Sequence, residues 1–252
     1  ADELSLFIGH FAYAMYRVGL VWLFYIALEP YARRLWPWML VSWVRLFGGR
    51  ARDPLVGRDL LVGTVFGVAA AVNVRLAEWL PGRLGLPPAR PPVSLWGLEA
   101  LRGLPQAVTA ALAIHTTSAV TTFMPVMLFL VARLLLRRTW PAVVVVSIIG
   151  ALINVPESGS AVVYAAFIVI VLAMFWTLLL RFGLLATVTC ISIIDLLTQV
   201  PLTFDLSSWR AGAGVPTLIL VLGMTAWAFR VAVAGRPLFR DALLEAEAPA
   251  SR

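Results

Sequence analysis

Apolar residues occur along this chain in long continuous runs, not in an alternating pattern. We identify seven hydrophobic segments, at approximately residues 4–28, 59–80, 106–136, 140–155, 161–180, 184–202 and 214–234. A helix needs about 20 mainly apolar residues to cross a bilayer, and in lipid a helix satisfies its own backbone polar groups. The pattern therefore predicts an all-α, polytopic integral membrane bundle of about six to seven transmembrane helices.

The fourth and sixth segments are short for a full crossing. A polar break at residues 154–159 separates the fourth segment from the fifth. Turn-forming residues of this kind connect either an ordinary hairpin or a re-entrant pair. We favour the hairpin.

Residues 31–47 combine tryptophan with arginine at a predicted membrane boundary. The residues are Trp36, Trp38, Trp43, Arg33, Arg34 and Arg45. Such a mixture predicts an amphipathic helix in the headgroup layer, with a loop that carries interfacial anchors as the alternative. We expect residues 1–240 to form one transmembrane domain, with a Pro-rich external loop at about 81–103 and a cytoplasmic tail at 241–252.

The charges are sparse and their placement excludes a nucleic-acid partner. Only 13% of the residues are charged while 61% are apolar, and all the basic residues are arginine. The arginines cluster between apolar runs, as the positive-inside rule describes. By this rule the loop at residues 33–58, the end of the third segment and the tail face the cytoplasm. The N-terminus of the chain then lies outside and the C-terminus inside.

Several runs of sequence resemble the membrane region that follows the catalytic domain in a family of bacterial serine/threonine protein kinases. The longest is YIALEPYARRLWPWMLVSWVRLFGGRARDPLVGRDLLVG at residues 25–63, followed by RFGLLA at 181–186, PLTFDLSSW at 201–209 and GRPLF at 235–239. The resemblance implies the bacterial inner membrane, an upstream cytoplasmic kinase domain and at least one further transmembrane helix before Ala1. Whether the chain is a fragment of such a kinase or a stand-alone relative is left open.

The chain itself lacks the groups that transfer phosphate in a kinase. It contains no lysine and neither an HRD nor a DFG triplet, which supply the catalytic base and the metal ligand in protein kinases. It also lacks HExxH, CxxC and GxSxG motifs. We therefore predict a chain that is not an enzyme, with no catalytic residues and no metal site.

Polar residues form stripes on three of the predicted helices. The stripes are His10, Tyr13 and Arg17; His115, Ser118 and Thr122; and Ser192, Asp195 and Gln199. Spacings of three, four and seven residues return to one helix face, and polar groups in a bilayer face the bundle interior. We therefore expect the stripes to face one another, with Asp195 as the partner of Arg17.

The ligand-binding candidates are His10, Arg17, His115, Asp195 and Gln199. Their sharpest interpretation is a site for a quinone headgroup or a small polar ligand, or a histidine that ligates chlorophyll magnesium or haem iron. The simpler interpretation is interhelical hydrogen bonding. No cofactor is predicted, with chlorophyll, haem or quinone as the alternative.

Three functions fit these observations. The first is a non-catalytic membrane domain for anchoring, sensing or assembly, whose partners are lipids and either other membrane subunits or further copies of itself. The second is an accessory subunit of a photosynthetic or respiratory membrane complex that binds pigment, haem or quinone. The third is a small-molecule transporter with discontinuous helices around Asn154 and Asp195, although no internal repeat supports it.

Smaller features receive structural interpretations. Gly63 and Gly67 form a GxxxG motif that suits close helix packing. Arg58 and Asp59 are interpreted as the start of the second transmembrane helix. The single cysteine, Cys190, is assigned to helix packing because it has no partner for a disulfide.

Overall fold

The computed structural model describes residues 2–87, 95–154, 160–203, 207–208 and 211–233. The regular elements in these ranges are all helical, as the hydrophobic runs predict. They are α1 (Asp2–Leu35), a 3₁₀ helix (Pro37–Leu40), α2 (Val41–Phe47), α3 (Pro54–Arg83), α4 (Leu95–Ala100), α5 (Leu104–Leu136), α6 (Thr139–Ile153), α7 (Ala161–Arg181), α8 (Leu184–Gln199) and α9 (Ala211–Val233). The seven hydrophobic segments correspond to α1, α3 and α5 to α9.

Five of these helices are long and apolar enough to cross a membrane. By length and composition they are α1, α3, α5, α7 and α9, whereas α6 and α8 are shorter apolar helices. This arrangement confirms the predicted all-α membrane bundle. The tail at residues 241–252 and residues 88–94 of the predicted Pro-rich loop lie outside the described residues. Elsewhere in that predicted loop the chain is partly helical, since α3 continues to Arg83 and α4 occupies Leu95–Ala100.

The shortest central helix, α8, forms the core of the bundle. Its 16 residues span about 24 Å, less than the roughly 30 Å of a hydrocarbon layer. Every residue from Leu184 to Cys190 is buried, and α3, α5 and α7 pack around it. A short helix is tolerated here because protein, and not lipid, surrounds its ends.

Both ends of α8 are held by groups from other helices. Gly183 lies against the backbone of Met39 in the 3₁₀ helix, and its φ of 95° requires glycine. At the other end the Arg75 guanidinium donates to the carbonyl oxygens of Leu197 and Thr198, at 3.3 and 2.6 Å. Arg75 also pairs with Glu78 at 2.8 Å. These contacts satisfy carbonyls that the end of a helix leaves free.

Glycines allow α3 to approach α8 closely. A Cβ atom on Gly63 would lie 2.5 Å from the carbonyl oxygen of Ala186, and one on Gly67 would lie 2.7 Å from the Cβ of Ile193. The buried Cys190 belongs to the same contact, since its carbonyl oxygen would lie 2.9 Å from a Cβ on Gly67. The GxxxG motif is therefore a packing surface, as its spacing suggests.

The start of α3 differs from the prediction. The helix begins at Pro54, not at Arg58, and Asp53 is its N-cap. The Leu55 N–H donates to Asp53 Oδ1 at 2.9 Å, and Arg45 donates to Oδ2 at 2.8 Å. The hydrogen bond from Leu55, helped by Arg45, holds the pKa of Asp53 below its usual value. A proline at the first helical position fits this start.

The helix predicted for residues 31–47 is also divided differently. Helix α1 continues to Leu35, and a new element begins only at Pro37, because proline restricts the preceding residue to a non-helical backbone. The 3₁₀ helix and α2 bury Met39, Leu40 and Trp43. Phe47 and Trp38 are exposed, and the location of this segment in the headgroup layer stays a prediction.

Helices α6 and α7 pack side by side in opposite directions. The Tyr164 hydroxyl donates to the carbonyl oxygen of Ala151 at 3.1 Å, and Trp176 Nε1 donates to Ser147 Oγ at 2.7 Å. Between Tyr164 and Trp176 of α7 the contacted residue in α6 changes from Ala151 to Ser147, so the two helices run antiparallel. A hairpin and a re-entrant pair both pack in this way, so the hairpin stays a prediction, and residues 155–159 between the helices lie outside the described ranges.

The arginine clusters meet at one end of the bundle, which we call the basic end. Trp38 Nε1 donates to the Leu180 carbonyl oxygen at 3.3 Å, Trp36 stacks on Phe129 at 5.1 Å, and Gly57 lies against Ala232. These contacts bring the following arginines to the same end: Arg33, Arg34, Arg45, Arg50, Arg52, Arg58, Arg133, Arg137, Arg138, Arg181 and Arg230. The clustering arises because successive long helices run in opposite directions, as the sequence predicts.

We expect Gly63→Ala to destabilise the bundle, because the added methyl group overlaps the backbone of α8. Overpacking of this kind costs about 1–3 kcal/mol in the free energy of unfolding. Gly223→Ala in α9 is the matched control, since no side chain or neighbouring helix lies within 4 Å of a Cβ added there. Unfolding in mixed detergent, followed by circular dichroism, measures both variants. Equal stability of the two would contradict the close α3–α8 contact.

Candidate functional site

The polar stripe of α1 meets α5 through Arg17. The guanidinium donates to Thr117 Oγ1 at 2.7 Å and to the hydroxyl of Tyr13. It also lies over the Tyr13 ring, 4.8 Å from the ring centroid. Thr117 in turn donates to the carbonyl oxygen of Ala113 at 2.7 Å. Arg17 is therefore held by neutral groups that disperse its charge only in part.

The polar stripes of α5 and α8 meet at Ser118 and Asp195. Ser118 Oγ lies 2.5 Å from Asp195 Oδ2 and 2.8 Å from the carbonyl oxygen of Ile114, and Gln199 also hydrogen-bonds the Asp195 carboxyl. A hydroxyl has one proton, so it donates to only one of its two acceptors. The Asp195 carboxyl, the Ser118 hydroxyl and the Ile114 carbonyl oxygen therefore form one hydrogen-bonded cluster between α8 and α5.

The expected pair between Arg17 and Asp195 is wrong. Thr117 and Ser118 are consecutive residues of α5, and consecutive helical residues point about 100° apart. Arg17 contacts the first and Asp195 contacts the second. The two ionisable residues therefore approach α5 from different sides. The stripes of α5 and α8 do face each other, but the stripe of α1 meets Thr117, which belongs to neither predicted stripe.

A cleft separates α1 from the rest of the bundle. Its volume is about 750 Å³, within the range of small-molecule sites. Residues 17–25 of α1 form one wall, and α5 and α8 form the floor through His115, Ala119 and Val188. Met224 of α9 lies on the opposite side, while α2 closes the basic end through Trp43 and Phe47. The cleft is apolar except near Arg17.

Arg17 and His115 supply the ionisable chemistry of the cleft. Its described lining residues include no carboxylate. Guanidinium has five N–H donors, and described residues accept from it at two nitrogens, so donors remain for a ligand. His115 is exposed to the cleft on the adjacent face of α5. This end of the cleft therefore favours a ligand that accepts hydrogen bonds.

The five ligand-binding candidates do not form one site. Arg17 and His115 share the cleft, whereas Asp195 and Gln199 hydrogen-bond each other at the α5–α8 contact. The side chain of His10 lies outside what the structure describes, although its backbone belongs to α1. Within the described residues, no group of three or more His, Cys, Asp or Glu side chains is placed to hold a metal ion.

A buried carboxylate at the basic end is a feature that sequence reasoning missed. Asp59 is fully buried in the bundle. It accepts from Ser42 of α2 and from two nitrogens of Arg58, at 2.9 and 2.8 Å. In the sequence, Arg58 and Asp59 indicate only the start of a helix. The missed signal is that Asp59 lies a full turn inside a helix already capped by Asp53, where solvent no longer reaches the inner face.

The geometry gives the chain an apolar cleft of about 750 Å³ between α1 and the rest of the bundle. Comparison with protein-family models, with curated proteins and with solved structures found no match for this chain. The site is therefore interpreted from its own residues.

Double-mutant cycles test these contacts. We expect Arg17→Leu and Thr117→Val to be coupled by about 0.5 kcal/mol or more, because contacting residues show such interaction energies. Arg17→Leu and Asp195→Leu have no described partner in common, so their losses should add within about 0.5 kcal/mol. Detergent unfolding of the single and double variants gives both values. Strong coupling between Arg17 and Asp195 would instead show that these two residues form an ion pair.

Proposed function

We propose that this chain is a non-catalytic membrane domain that anchors its protein and senses an amphiphile of the bilayer. The observation that carries the proposal is the cleft between α1 and the α3–α5–α8 core. The resemblance of residues 25–63 to the membrane region of bacterial serine/threonine kinases supports a signalling context. In such a context, ligand binding in the membrane alters the position of a helix that leads to the cytoplasm.

The unequal packing of the helices supports a moving part. In the most apolar stretch of α1 only 6% of the residues are buried, against 39% in α3 and 33% in α5. Helix α1 packs on α5 and on the 3₁₀ helix, but makes no extensive contact with α3, α8 or α9. Elements with few buried contacts open at the lowest free-energy cost. A ligand in the cleft would supply the contacts that α1 lacks.

Helices α1 and α2 connect the cleft to the basic end of the bundle. Helix α1 ends at Leu35, one residue before the 3₁₀ helix, and Trp43 and Phe47 of α2 line the cleft. The same α2 is tied to α3 by the contact of Ser42 with Asp59. A ligand that fills the cleft therefore touches both α1 and the segment that connects it to α3.

The orientation that we propose places the basic end in the cytoplasm of a bacterial inner membrane. The positive-inside rule and the clustering of the arginines at this end support it. The C-terminal end of α1 and the amphipathic α2 then lie at the cytoplasmic surface. A kinase or another partner would receive the signal there.

A second function, an accessory subunit of a larger membrane complex, is favoured by the same exposure of α1. Large apolar side chains such as Trp22 and Leu23 are 64% and 58% exposed in the isolated chain. Lipid covers such a surface, and so does a neighbouring subunit. In that case α1 is held by protein, and the cleft takes the pigment, haem or quinone that His115 faces.

The sensing function predicts a change in the position of α1 when membrane amphiphiles are present. Leu23→Cys in α1 and Leu222→Cys in α9 place spin labels on exposed positions, in a background that carries Cys190→Ala. Double electron–electron resonance compares delipidated protein with the same protein after addition of a bacterial lipid extract. We expect the distance to shift by more than about 2 Å, the scale of a rearrangement rather than a side-chain adjustment.

The matched control for this experiment pairs Val65→Cys in α3 with Leu222→Cys. Both positions lie on helices that pack directly against each other, so this distance should stay constant. An unchanged α1–α9 distance in both conditions would contradict the sensing function. A shift that requires a co-purifying protein subunit instead of lipid would favour the assembly function.

The proposed orientation predicts the labelling of single cysteines in cells. In the Cys190→Ala background, Leu86→Cys beyond the end of α3 should react with a membrane-impermeant maleimide from outside. Arg52→Cys, at the basic end, should react only after the cells are permeabilised. Both positions are exposed in the structure. The reverse pattern of labelling would show that the basic end faces outward.

A further inference from the structure

Among the residues that the structure describes, the cleft contains a positive charge that no carboxylate pairs with. Arg17 is the arginine in its lining, which includes no described aspartate or glutamate, and none of the ion pairs in the described ranges involves Arg17. A charge in a low-dielectric environment is strongly stabilised by a nearby opposite charge. The cleft therefore selects for an anion over a neutral group.

The geometry at Arg17 suits a carboxylate. A guanidinium binds a carboxylate through two parallel N–H···O bonds, and Thr117 and Tyr13 hold the side chain in place by accepting from two of its nitrogens. His115 and Thr116 line the same part of the cleft from α5. A monovalent headgroup matches the single cation, whereas a phosphate monoester brings about −1.5 to −2 charges and leaves part of its charge unpaired.

The remainder of the cleft suits one hydrocarbon chain. From Arg17 the apolar lining continues along Val21 and Trp22, and then to Trp43 and Phe47 at the basic end. The α1 wall alone, residues 17–25, is about 12 Å long at 1.5 Å per residue. The cleft therefore combines one positive charge with an elongated apolar lining, as a site for a single-chain lipid requires.

We propose that the cleft binds a long-chain fatty acid, with its carboxylate on Arg17 and its hydrocarbon chain directed toward Phe47. This proposal rests on the sensing function, for which it names the class of ligand. The donors of Arg17 orient the headgroup, and Trp22 and Trp43 contact the chain. Quinones and lysophospholipids share the elongated shape but differ in headgroup charge, so they provide the comparisons for the test.

The experiment uses the delipidated full chain in detergent at pH 8 and stearic acid brominated at mid-chain, which quenches nearby tryptophans. We expect saturable quenching of tryptophan fluorescence that is largely lost in the Trp22→Phe/Trp43→Phe variant. The methyl ester of the same acid should bind at least about tenfold more weakly, the scale expected when hydrogen bonds to a charged group are lost. Brominated lysophosphatidic acid should also bind more weakly than the acid.

Variants of Arg17 separate binding from folding. Arg17→Leu should weaken binding of the acid by about tenfold or more and binding of the methyl ester much less, and retained binding of the ester shows that the cleft is intact. Arg17→Lys should retain part of the affinity, because it keeps the charge but not the fork of donors. Arg83→Leu is the control, since Arg83 lies over Trp79 at the opposite end from the arginine clusters.

Equal binding of acid and ester, or an acid affinity that Arg17→Leu leaves unchanged, would overturn the proposal. Tighter binding of lysophosphatidic acid, or of a ubiquinone tested by competition, would also overturn it. Failure of this inference is distinct from failure of the sensing function. If the acid does not bind while the lipid extract still moves α1, sensing stands with another ligand. If the acid binds at Arg17 and α1 does not move, the site stands without sensing.

Discussion

The close contact between α3 and α8 is the interaction on which the rest of the bundle depends. Helix α8 is too short to cross a bilayer by itself, so the polar groups at its ends must be satisfied by protein. Gly63 and Gly67 let α3 lie directly on α8, which brings Arg75 within reach of the free carbonyls of Leu197 and Thr198. Helices α5 and α7 then close around a core whose position is already defined. Helix α1 has no such close contact with α8, and for this reason the larger cleft lies beside α1.

The hydrophobic runs predicted the fold because the bilayer imposes one requirement on every spanning segment. An apolar run of sufficient length becomes a helix whatever its neighbours are. The predicted ends were less accurate where local chemistry decides them. Asp53 caps α3 a full turn before the predicted start, and Pro37 divides a segment that was predicted as one helix. The shortness of α8 was visible in the sequence, but the means by which it is tolerated was not, because Arg75 lies more than a hundred residues away from the carbonyls that it satisfies.

The candidate site was predictable only in part, for a reason that lies in helix geometry. Spacing along one helix predicts which residues share a face, and Ser118 and Asp195 do meet as their stripes suggested. Spacing does not tell which face of α5 each neighbouring helix approaches. Arg17 and Asp195 therefore looked like natural partners, although α1 and α8 contact successive residues of α5. The cleft itself has no signal in the sequence, because it is defined by contacts that α1 does not make.

Asp195 and Arg17 illustrate two ways of placing an ionisable residue in lipid. Asp195 is surrounded by Ser118 and Gln199, which is the arrangement expected of a residue that holds helices together. Arg17 carries a guanidinium, which has five N–H donors and no acceptor. Thr117 and Tyr13 occupy part of its donor capacity and neutralise none of its charge. An arginine left in this condition beside an apolar cleft is better stabilised with an anion present than without one. This difference in free energy favours binding of an anionic ligand, and the bound ligand holds α1 against the core.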